Sequence, residues 1–161
     1  MIELSTKVIS ALQDKTLATA ESCTGGGIGA VLTAVSGSSA VFKGGIISYT
    51  NEVKTNVLGV SAELLKIHGP VSAVVAEAMA KGAKNALHTD IAVSVTGLAG
   101  PGGDEYGNPV GTVYIGYADD SQCISVPCFF TGDREEIRNQ AISAVLTLIL
   151  EKYSGGEQLG N

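Results

Sequence analysis

Residues 17–27 read Leu-Ala-Thr-Ala-Glu-Ser-Cys-Thr-Gly-Gly-Gly, a short apolar run that delivers a serine to a run of glycines. The residues from Leu17 to Glu21 predict a strand, and amphipathic helical spacing begins at Ile28. A strand, a glycine turn and a helix in this order leave backbone N–H groups unpaired at the positive end of the helix dipole. Such a turn can hold a phosphate or the oxyanion of an acyl-transfer intermediate, with Ser22 at its edge as a candidate nucleophile.

The apolar periodicity elsewhere extends this unit into an alternation of helices and strands. It predicts helices over 5–14, 24–35, 71–87 and 134–152, short helices over 50–58 and 61–67, and strands over 41–49, 91–95, 110–117 and 122–130. In the third long helix, the spacing of Val71, Val74, Val75 and Ala78 predicts the buried face. Because helices alternate with strands and a hairpin comes late, we predict an α/β fold, a three-layer α/β/α sandwich on a mixed, mostly parallel sheet.

Length and composition limit the classes of function. We expect residues 1–153 to form a single domain and residues 154–161 a flexible tail. The net charge of −6, without a Lys/Arg-rich stripe, excludes general affinity for nucleic acid. No apolar run approaches the ~18 residues of a membrane span and no secretory pattern opens the chain, so we expect a cytoplasmic protein without membrane association. An Ala- and Gly-rich α/β domain of this size often self-associates, which makes a homodimer possible.

The three cysteines show no zinc-like spacing, which favours free thiols over a metal site. Cys23 is the alternative nucleophile beside Ser22, because a thiol is intrinsically the better one. Neighbouring residues in an extended segment point to opposite sides, so only one of the two can face a pocket. If Ser22 is the nucleophile, Cys23 is expected to pack in the core as a small hydrophobic residue.

A serine nucleophile needs a base that removes its proton. His68 and His88 lie at the ends of predicted helices, far in sequence from any glycine loop, and are expected to be structural. Lys54 is the better candidate if its amine is neutral, which requires desolvation because a free lysine titrates near ~10.4. Tyr49, at the end of a predicted strand, can relay the proton or orient the lysine.

Several motifs along the chain resemble those of the CinA C-terminal domain family. The motifs are Ala20-Glu21-Ser22-Cys23-Thr24-Gly25-Gly26, Ser48-Tyr49-Thr50-Asn51-Glu52-Val53-Lys54, His68-Gly69, Val95-Thr96-Gly97-Leu98-Ala99-Gly100-Pro101-Gly102-Gly103 and Gly132-Asp133-Arg134. They occur in the family's order and span nearly the whole chain. Characterised members of this family are nicotinamide-nucleotide amidohydrolases.

The resemblance implies that Ser22 is the catalytic serine and that Tyr49 and Lys54 are its catalytic partners. It implies hydrolysis of the carboxamide of nicotinamide mononucleotide, a small-molecule nucleotide substrate, to nicotinate mononucleotide and ammonia, without a metal or organic cofactor. The backbone amides expected to stabilise the oxyanion are those of Thr24, Gly25 and Gly26.

A second glycine-rich loop, 96–103, follows a predicted strand, as ligand loops do at the carboxyl edge of an α/β sheet. Its glycines allow the backbone to approach a nucleotide closely, which makes Thr96, Gly97 and Gly100 candidate substrate contacts. The alternative is a connecting turn without a ligand.

Two arginines, Arg134 and Arg138, follow Asp133, which with Glu136 forms the pattern of a capping box. Like charges four residues apart near the positive end of a helix are unfavourable unless an anion binds between them. We therefore expect both arginines to contact the substrate, Arg138 at the phosphate. The alternative is pairing with neighbouring glutamates on the surface.

Two alternatives to an enzyme stay open. Residues 25–30 contain Gly-x-Gly-x-x-Ala after a strand, a weak dinucleotide fingerprint that would suit a non-catalytic nucleotide-binding module. No acidic residue closes a second long strand at the expected distance of ~20 residues, which speaks against it. The other alternative, a regulatory subunit with a decayed site, conflicts with the intact Ser22, Tyr49 and Lys54.

Overall fold

The computed structural model describes residues 1–154. The strands are β1 Leu17–Glu21, β2 Phe42–Ile47, β3 Ile91–Gly97, β4 Thr112–Ala118 and β5 Cys123–Phe129. The helices are α1 Ile2–Ala11, α2 Gly27–Thr33, α3 Asn51–Asn56, α4 Ala62–His68, α5 Ala73–Leu87 and α6 Arg134–Ser154, with a 3₁₀ turn at Ser38–Ala40. These bounds agree with the sequence-based prediction to within a few residues. Ser154 ends α6, and the remainder of the predicted tail, 155–161, lies outside the described residues.

The strands form one mixed sheet in the order β2-β1-β3-β4-β5. β1 pairs in parallel with both β2 and β3, whereas β4 pairs antiparallel with β3 and β5. Every strand but β4 therefore runs in the same direction. The predicted mixed, mostly parallel sheet is confirmed.

Helices cover both faces of the sheet, which confirms the predicted three layers. One core cluster joins α1, α2 and α6 to alternate residues of β1 and β3, with Leu17, Val93 and Val145 fully buried. The other joins α5 to the intervening residues, including Ala18, Ala20 and Ala92. The alternation follows from the opposite orientation of successive strand side chains.

The buried face of α5 differs from the prediction. Its buried residues are Val75, Ala76, Met79, Ala80 and Ala83, whereas Val74 is exposed. The prediction counted the period from Val71, which is buried but lies before the helix begins at Ala73. Small side chains let α5 pack close to the sheet, and the hydroxyl of Ser94 in β3 donates a hydrogen bond to the Ala76 carbonyl at 2.6 Å. The buried face of α5 is therefore the one whose small side chains allow the helix to approach the sheet closely.

The parallel strands β1, β2 and β3 end at the same edge of the sheet. The segments that follow them, 22–26, 48–54 and 98–103, contain most of the predicted site residues. Thr96 and Gly97 are the last two residues of β3, and Arg134 and Arg138 lie in α6. Ligands of α/β folds bind at this carboxyl edge, because the loops there converge on one crevice. Within residues 1–154, no helix combines the length and the apolar character that crossing a membrane requires.

Candidate active site

A lysine and a serine meet at the carboxyl edge of the sheet. Lys54 Nζ lies 3.1 Å from Ser22 Oγ, and it donates hydrogen bonds to the carbonyl oxygens of Ser48 at 2.8 Å and Tyr49 at 3.4 Å. Lys54 is only 1% exposed and Ser22 8%. The distance between Nζ and Oγ lets a proton pass directly from one side chain to the other.

Local structure after β2 directs the lysine toward β1. The hydroxyl of Thr50 caps α3 by accepting a hydrogen bond from the Val53 amide at 3.4 Å, so the helix begins almost directly after the strand. The Ser48 amide donates to the Glu21 carbonyl at 2.8 Å, which extends the pairing of β1 and β2 beyond β2. The first turn of α3 therefore lies against the end of β1, where the serine is.

Burial lowers the pKa of Lys54 from 10.5 to about 8, because the ammonium loses its contact with water. The oxygen atoms that accept its hydrogen bonds belong to a hydroxyl and two carbonyl groups. Within residues 1–154, the ion pairs are Lys7 with Glu3 and Lys84 with Asp120, so no carboxylate pairs with Lys54. A neutral amine, which can accept a proton, is therefore well populated at mildly alkaline pH.

Cys23 lines the cavity together with Ser22, contrary to the expectation that only one of these neighbours faces a pocket, but its thiol is not a hydrogen-bond partner of Lys54. Cys23 is 6% exposed and packs in the core cluster on the α6 side of the sheet. Burial raises the pKa of its thiol to about 11, so the reactive thiolate is scarce at neutral pH. Lys54 Nζ lies within hydrogen-bond distance of Ser22 instead. The geometry makes Ser22 the nucleophile that the base can activate, and the cysteines are free thiols as predicted.

Ser22 and Lys54 open into a cavity of about 260 Å³. The predicted site residues that line it are Ser22, Tyr49, Lys54, Thr96, Gly97, Gly100 and Arg134. Further lining residues that sequence analysis did not identify are Asn51, Pro70, Val71, Leu98, Ala99 and Gly102. Asn51 lies within a recognised motif and Pro70 directly follows one, whereas Val71 was assigned to the buried face of α5. The hydroxyl of Thr96 donates to the Pro70 carbonyl at 2.8 Å and so joins β3 to the opposite wall.

The amides at the start of α2 bind a carboxylate that belongs to the chain itself. Glu21 Oε1 accepts hydrogen bonds from the hydroxyl of Thr24 at 2.6 Å and the amide of Ile28 at 2.8 Å, and Oε2 accepts from the amide of Gly29 at 3.1 Å. The anion at the start of α2 is therefore the chain's own carboxylate. This arrangement also fills the place where a dinucleotide fingerprint would hold a pyrophosphate, which removes the support for that alternative.

Thr24, Gly25 and Gly26 do not line the cavity. The Gly25 amide donates to the Ser22 carbonyl at 3.1 Å and is not available to an oxyanion. Among the described residues, the amides of Cys23, Thr24 and Gly26 have no hydrogen-bond acceptor. Of these residues Cys23 lines the cavity, directly beside Ser22, so the amide that best suits an oxyanion lies one residue earlier than predicted.

Arg138 also lies outside the cavity lining. Its Nε donates to the Cys23 carbonyl at 3.0 Å and its Nη2 to the Thr24 carbonyl at 3.1 Å. The guanidinium thus binds the backbone of the turn, and the structure does not bring it to a place where it lines a substrate pocket. The capping box that precedes it is formed, because Asp133 and Glu136 each accept a hydrogen bond from the other's amide.

Tyr49 and Arg134 form the exposed rim of the cavity. Arg134 Nη2 donates to the Tyr49 hydroxyl at 3.2 Å and Nη1 to the Gly100 carbonyl at 2.6 Å. Tyr49 contacts Lys54 through its carbonyl oxygen, not through its hydroxyl. The tyrosine therefore orients the lysine through the backbone, and its hydroxyl is hydrogen-bonded to the arginine at the rim.

Neither histidine lines the cavity. His68 is the last residue of α4, and His88 caps the end of α5 in the left-handed conformation with φ of 52°. Both positions agree with the structural role that was predicted. Within residues 1–154, no group of three or more His, Cys, Asp or Glu side chains has an arrangement that could hold a metal ion.

The family model of the CinA C-terminal domain matches residues 2–153. A CinA-like protein of Rippkaea orientalis is 47% identical over 148 residues, which cover 90% of this chain and 36% of the relative. A CinA-like protein of Mycolicibacterium gilvum is 44% identical over 151 residues, which cover 93% of this chain and 36% of the relative. The chain therefore spans about a third of the length of these curated relatives.

Solved structures with similar folds include a Competence-Damaged Protein (CinA) superfamily protein from Klebsiella pneumoniae. It superposes with a TM-score of 0.93 at 37% identity and covers 96% of this chain and 98% of its own. A CinA superfamily protein from Escherichia coli gives a TM-score of 0.91 at 33% identity, over 93% of this chain and 89% of its own. The fold and the order of its elements are therefore shared with these proteins.

Proposed function

The chain belongs to the family of the CinA C-terminal domain, and from that premise we propose that it is a nicotinamide-nucleotide amidohydrolase. The reaction is hydrolysis of the carboxamide of nicotinamide mononucleotide to nicotinate mononucleotide and ammonia, through an ester of Ser22. The observation that carries the proposal is the 3.1 Å contact between Ser22 Oγ and a lysine amine that is buried without a carboxylate partner.

In the first half of the reaction, neutral Lys54 takes the proton of Ser22 as Oγ attacks the carboxamide carbon. The amide of Cys23, which lines the cavity beside Ser22 and lacks an acceptor among the described residues, stabilises the oxyanion. One such donor lowers the barrier by roughly 2.7–4 kcal/mol. The protonated lysine then gives its proton to the departing nitrogen, and ammonia leaves.

In the second half, a water molecule attacks the ester and Lys54 again accepts the proton. The proton returns to Ser22 Oγ as the nicotinate carboxylate departs, which restores the starting state. Tyr49 supports Lys54 through its carbonyl oxygen, while its hydroxyl accepts a hydrogen bond from Arg134 on the rim of the cavity.

The walls of the cavity suit a nucleotide that ends in a flat aromatic amide. Val71, Leu98 and Ala99 are apolar and face the same space as the serine. Arg134 stands at the exposed rim, where its remaining N–H groups can bind a phosphate. The nicotinamide ring would lie inside with its carboxamide at Ser22, and the phosphate would lie outside.

A substrate panel tests the proposal. Ammonia release would be measured with nicotinamide mononucleotide, its riboside, free nicotinamide and the dinucleotide. We expect the highest kcat/KM with the mononucleotide. Release from free nicotinamide alone would refute the substrate and retain the serine chemistry, whereas calorimetric binding of the mononucleotide without ammonia release would favour a non-catalytic nucleotide-binding module.

The rate is expected to rise with pH. Since the active form of Lys54 is the neutral amine, kcat should increase as pH passes through the lysine pKa of about 8 and level off above it. The rate of ammonia release at saturating mononucleotide, measured across that interval, gives the midpoint. A rate that is flat there, or that falls with rising pH, would contradict the role of Lys54 as a base.

The two arginines should affect different kinetic constants. Arg134→Ala is expected to raise KM for the mononucleotide by about tenfold and to change KM for the riboside little, because it removes a binding contact to the phosphate. Arg138→Ala should lower kcat for both substrates alike, because the guanidinium supports the turn after Ser22. Steady-state kinetics with both substrates separates these outcomes, and a phosphate-selective effect of Arg138→Ala would reverse the assignment.

A further inference from the structure

Glu21 carries a buried carboxylate that the proposed reaction does not use. It is the last residue of β1, is 2% exposed and does not line the cavity. Burial of a carboxylate is costly unless a cation or hydrogen bonds compensate for the lost water. Neither ion pair within residues 1–154 includes Glu21. The hydrogen bonds that it accepts from the turn and from α2 therefore take the place of a cation.

These hydrogen bonds enclose the residues that carry the nucleophile. The carboxylate binds the hydroxyl of Thr24 at 2.6 Å and the amides of Ile28 and Gly29 at 2.8 and 3.1 Å. Ser22 and Cys23 lie between Glu21 and Thr24, so the hydrogen bond between these two side chains closes a short loop around them. The direction of the Cys23 amide is fixed with it.

The backbone of the same residue reaches the base. The Glu21 carbonyl accepts a hydrogen bond from the Ser48 amide at 2.8 Å, and the Ser48 carbonyl accepts one from Lys54 Nζ at 2.8 Å. The side chain of Glu21 thus fixes the segment that contains Ser22 and the Cys23 amide. Its carbonyl oxygen fixes Ser48, whose own carbonyl oxygen binds the lysine. Arg138 binds the opposite, carbonyl side of the turn.

From this geometry we infer that Glu21 is a positioning residue for the serine ester chemistry. It does not line the cavity, and it sets the relative placement of Ser22 Oγ and the Cys23 amide that suits the oxyanion. This inference rests on the proposed function for its reaction. Misplacement by about 1 Å can cost a reaction about 100-fold in rate, so loss of the carboxylate should lower kcat and leave substrate binding intact.

Glu21→Gln tests the inference, because it keeps the size of the side chain and replaces one acceptor oxygen by an N–H donor that faces backbone amides. We expect kcat for the mononucleotide to fall about 100-fold with KM within about threefold of the unaltered protein. Asp90→Asn is the matched control. Its carboxylate likewise accepts hydrogen bonds from an amide and a threonine hydroxyl, those of Thr16, but at the opposite end of the sheet.

A pair of substitutions at Thr24 keeps the test decisive if Glu21→Gln fails to fold. Thr24→Val removes the hydroxyl that binds Glu21, and Thr24→Ser retains it. We expect kcat of Thr24→Ser to exceed that of Thr24→Val by about tenfold, with equal KM. In the double variant Glu21→Gln/Thr24→Val, the losses should not add, because both substitutions break the same contact.

A sulfonyl fluoride that modifies activated serines gives a readout independent of the nucleotide substrate. The rate of Ser22 modification, followed by mass spectrometry, should fall at least about tenfold in Glu21→Gln and stay unchanged in Asp90→Asn. If the unaltered protein is modified but releases no ammonia from the mononucleotide, the proposed function fails while this inference stands.

Three results would overturn the inference. They are kcat and labelling rates of Glu21→Gln within about threefold of the unaltered protein, a loss that appears in KM alone, and an equal loss in Asp90→Asn. Absence of labelling in the unaltered protein would overturn it as well, since there would be no activated nucleophile to position.

Discussion

Ser22→Ala is expected to lower kcat for ammonia release by at least about 10⁴-fold, because it removes the atom that forms the ester. Cys23, the neighbouring thiol, is buried with its pKa raised to about 11 and cannot take over. Alanine fits the space of serine, so the fold and the affinity for nicotinate mononucleotide should persist. Ammonia release measures the loss, and calorimetry measures the affinity.

Ser39→Ala is the control for this substitution, since Ser39 is an exposed serine in the 3₁₀ turn outside the site. It should retain the full rate. Rapid acid quenching of the unaltered protein during turnover, followed by mass spectrometry, should show the nicotinate ester on the peptide that contains Ser22. Turnover by Ser22→Ala above a few per cent of the unaltered rate would refute the ester mechanism.

Lys54→Met is expected to lower kcat by about 10³-fold or more, because no other base lies within reach of Ser22 Oγ among the described residues. Lys54→Arg should be equally inactive, since arginine keeps the positive charge and does not lose its proton. The arginine variant distinguishes a base from a cation. If Lys54→Arg were active, the site would need positive charge there and not a neutral amine.

Lys7→Met on α1 is the matched control for the loss of a lysine, because Lys7 is exposed and pairs with Glu3 away from the cavity. It should leave kcat unchanged. The residual activity of Lys54→Met should also lose the rise near pH 8, since the group that titrates there is gone. Persistence of that rise would assign the midpoint to another group.

The pH dependence of the free energy of unfolding also reports the pKa of Lys54, and it requires no substrate. The pKa of Lys54 is about 8 in the folded protein and 10.5 in the free side chain, so between these values the unfolded chain binds more protons. The free energy of unfolding should therefore rise with pH across this window, relative to that of Lys54→Met, by about 3 kcal/mol in total. Below the folded-state pKa the difference is constant. Urea unfolding of both proteins near each end of the window measures it, and parallel pH profiles would contradict the shifted pKa.

The fold could be predicted well where local pattern alone decides. The bounds of β1 are those expected, because an apolar run is followed directly by a turn sequence. The face of α5 could not, because small residues that pack against the sheet, such as Ala76 and Ala80, do not stand out in an apolar periodicity. Because Val71 lies before the helix begins, the period counted from it assigned the exposed Val74 to the buried face.

The nucleophile and its base could be predicted from motifs, and the role predicted for Lys54 requires the contact with Ser22 that the structure shows. Ser22 and Lys54 are 32 residues apart in sequence and meet because β1 and β2 are parallel neighbours. The role of Glu21 was missed because charged residues are mostly exposed. A signal was nevertheless available, since a carboxylate that ends an apolar strand just before a glycine turn is next to free backbone donors.

The central claim is that Lys54 is neutral when it takes the proton of Ser22. NMR titration of the lysine side chains measures this most directly, with the Lys54 signal assigned by its absence from Lys54→Met. We predict a pKa of about 8 for this amine, equal to the midpoint of the rise in kcat. An amine that stays fully cationic throughout the pH range in which the protein releases ammonia would contradict the account.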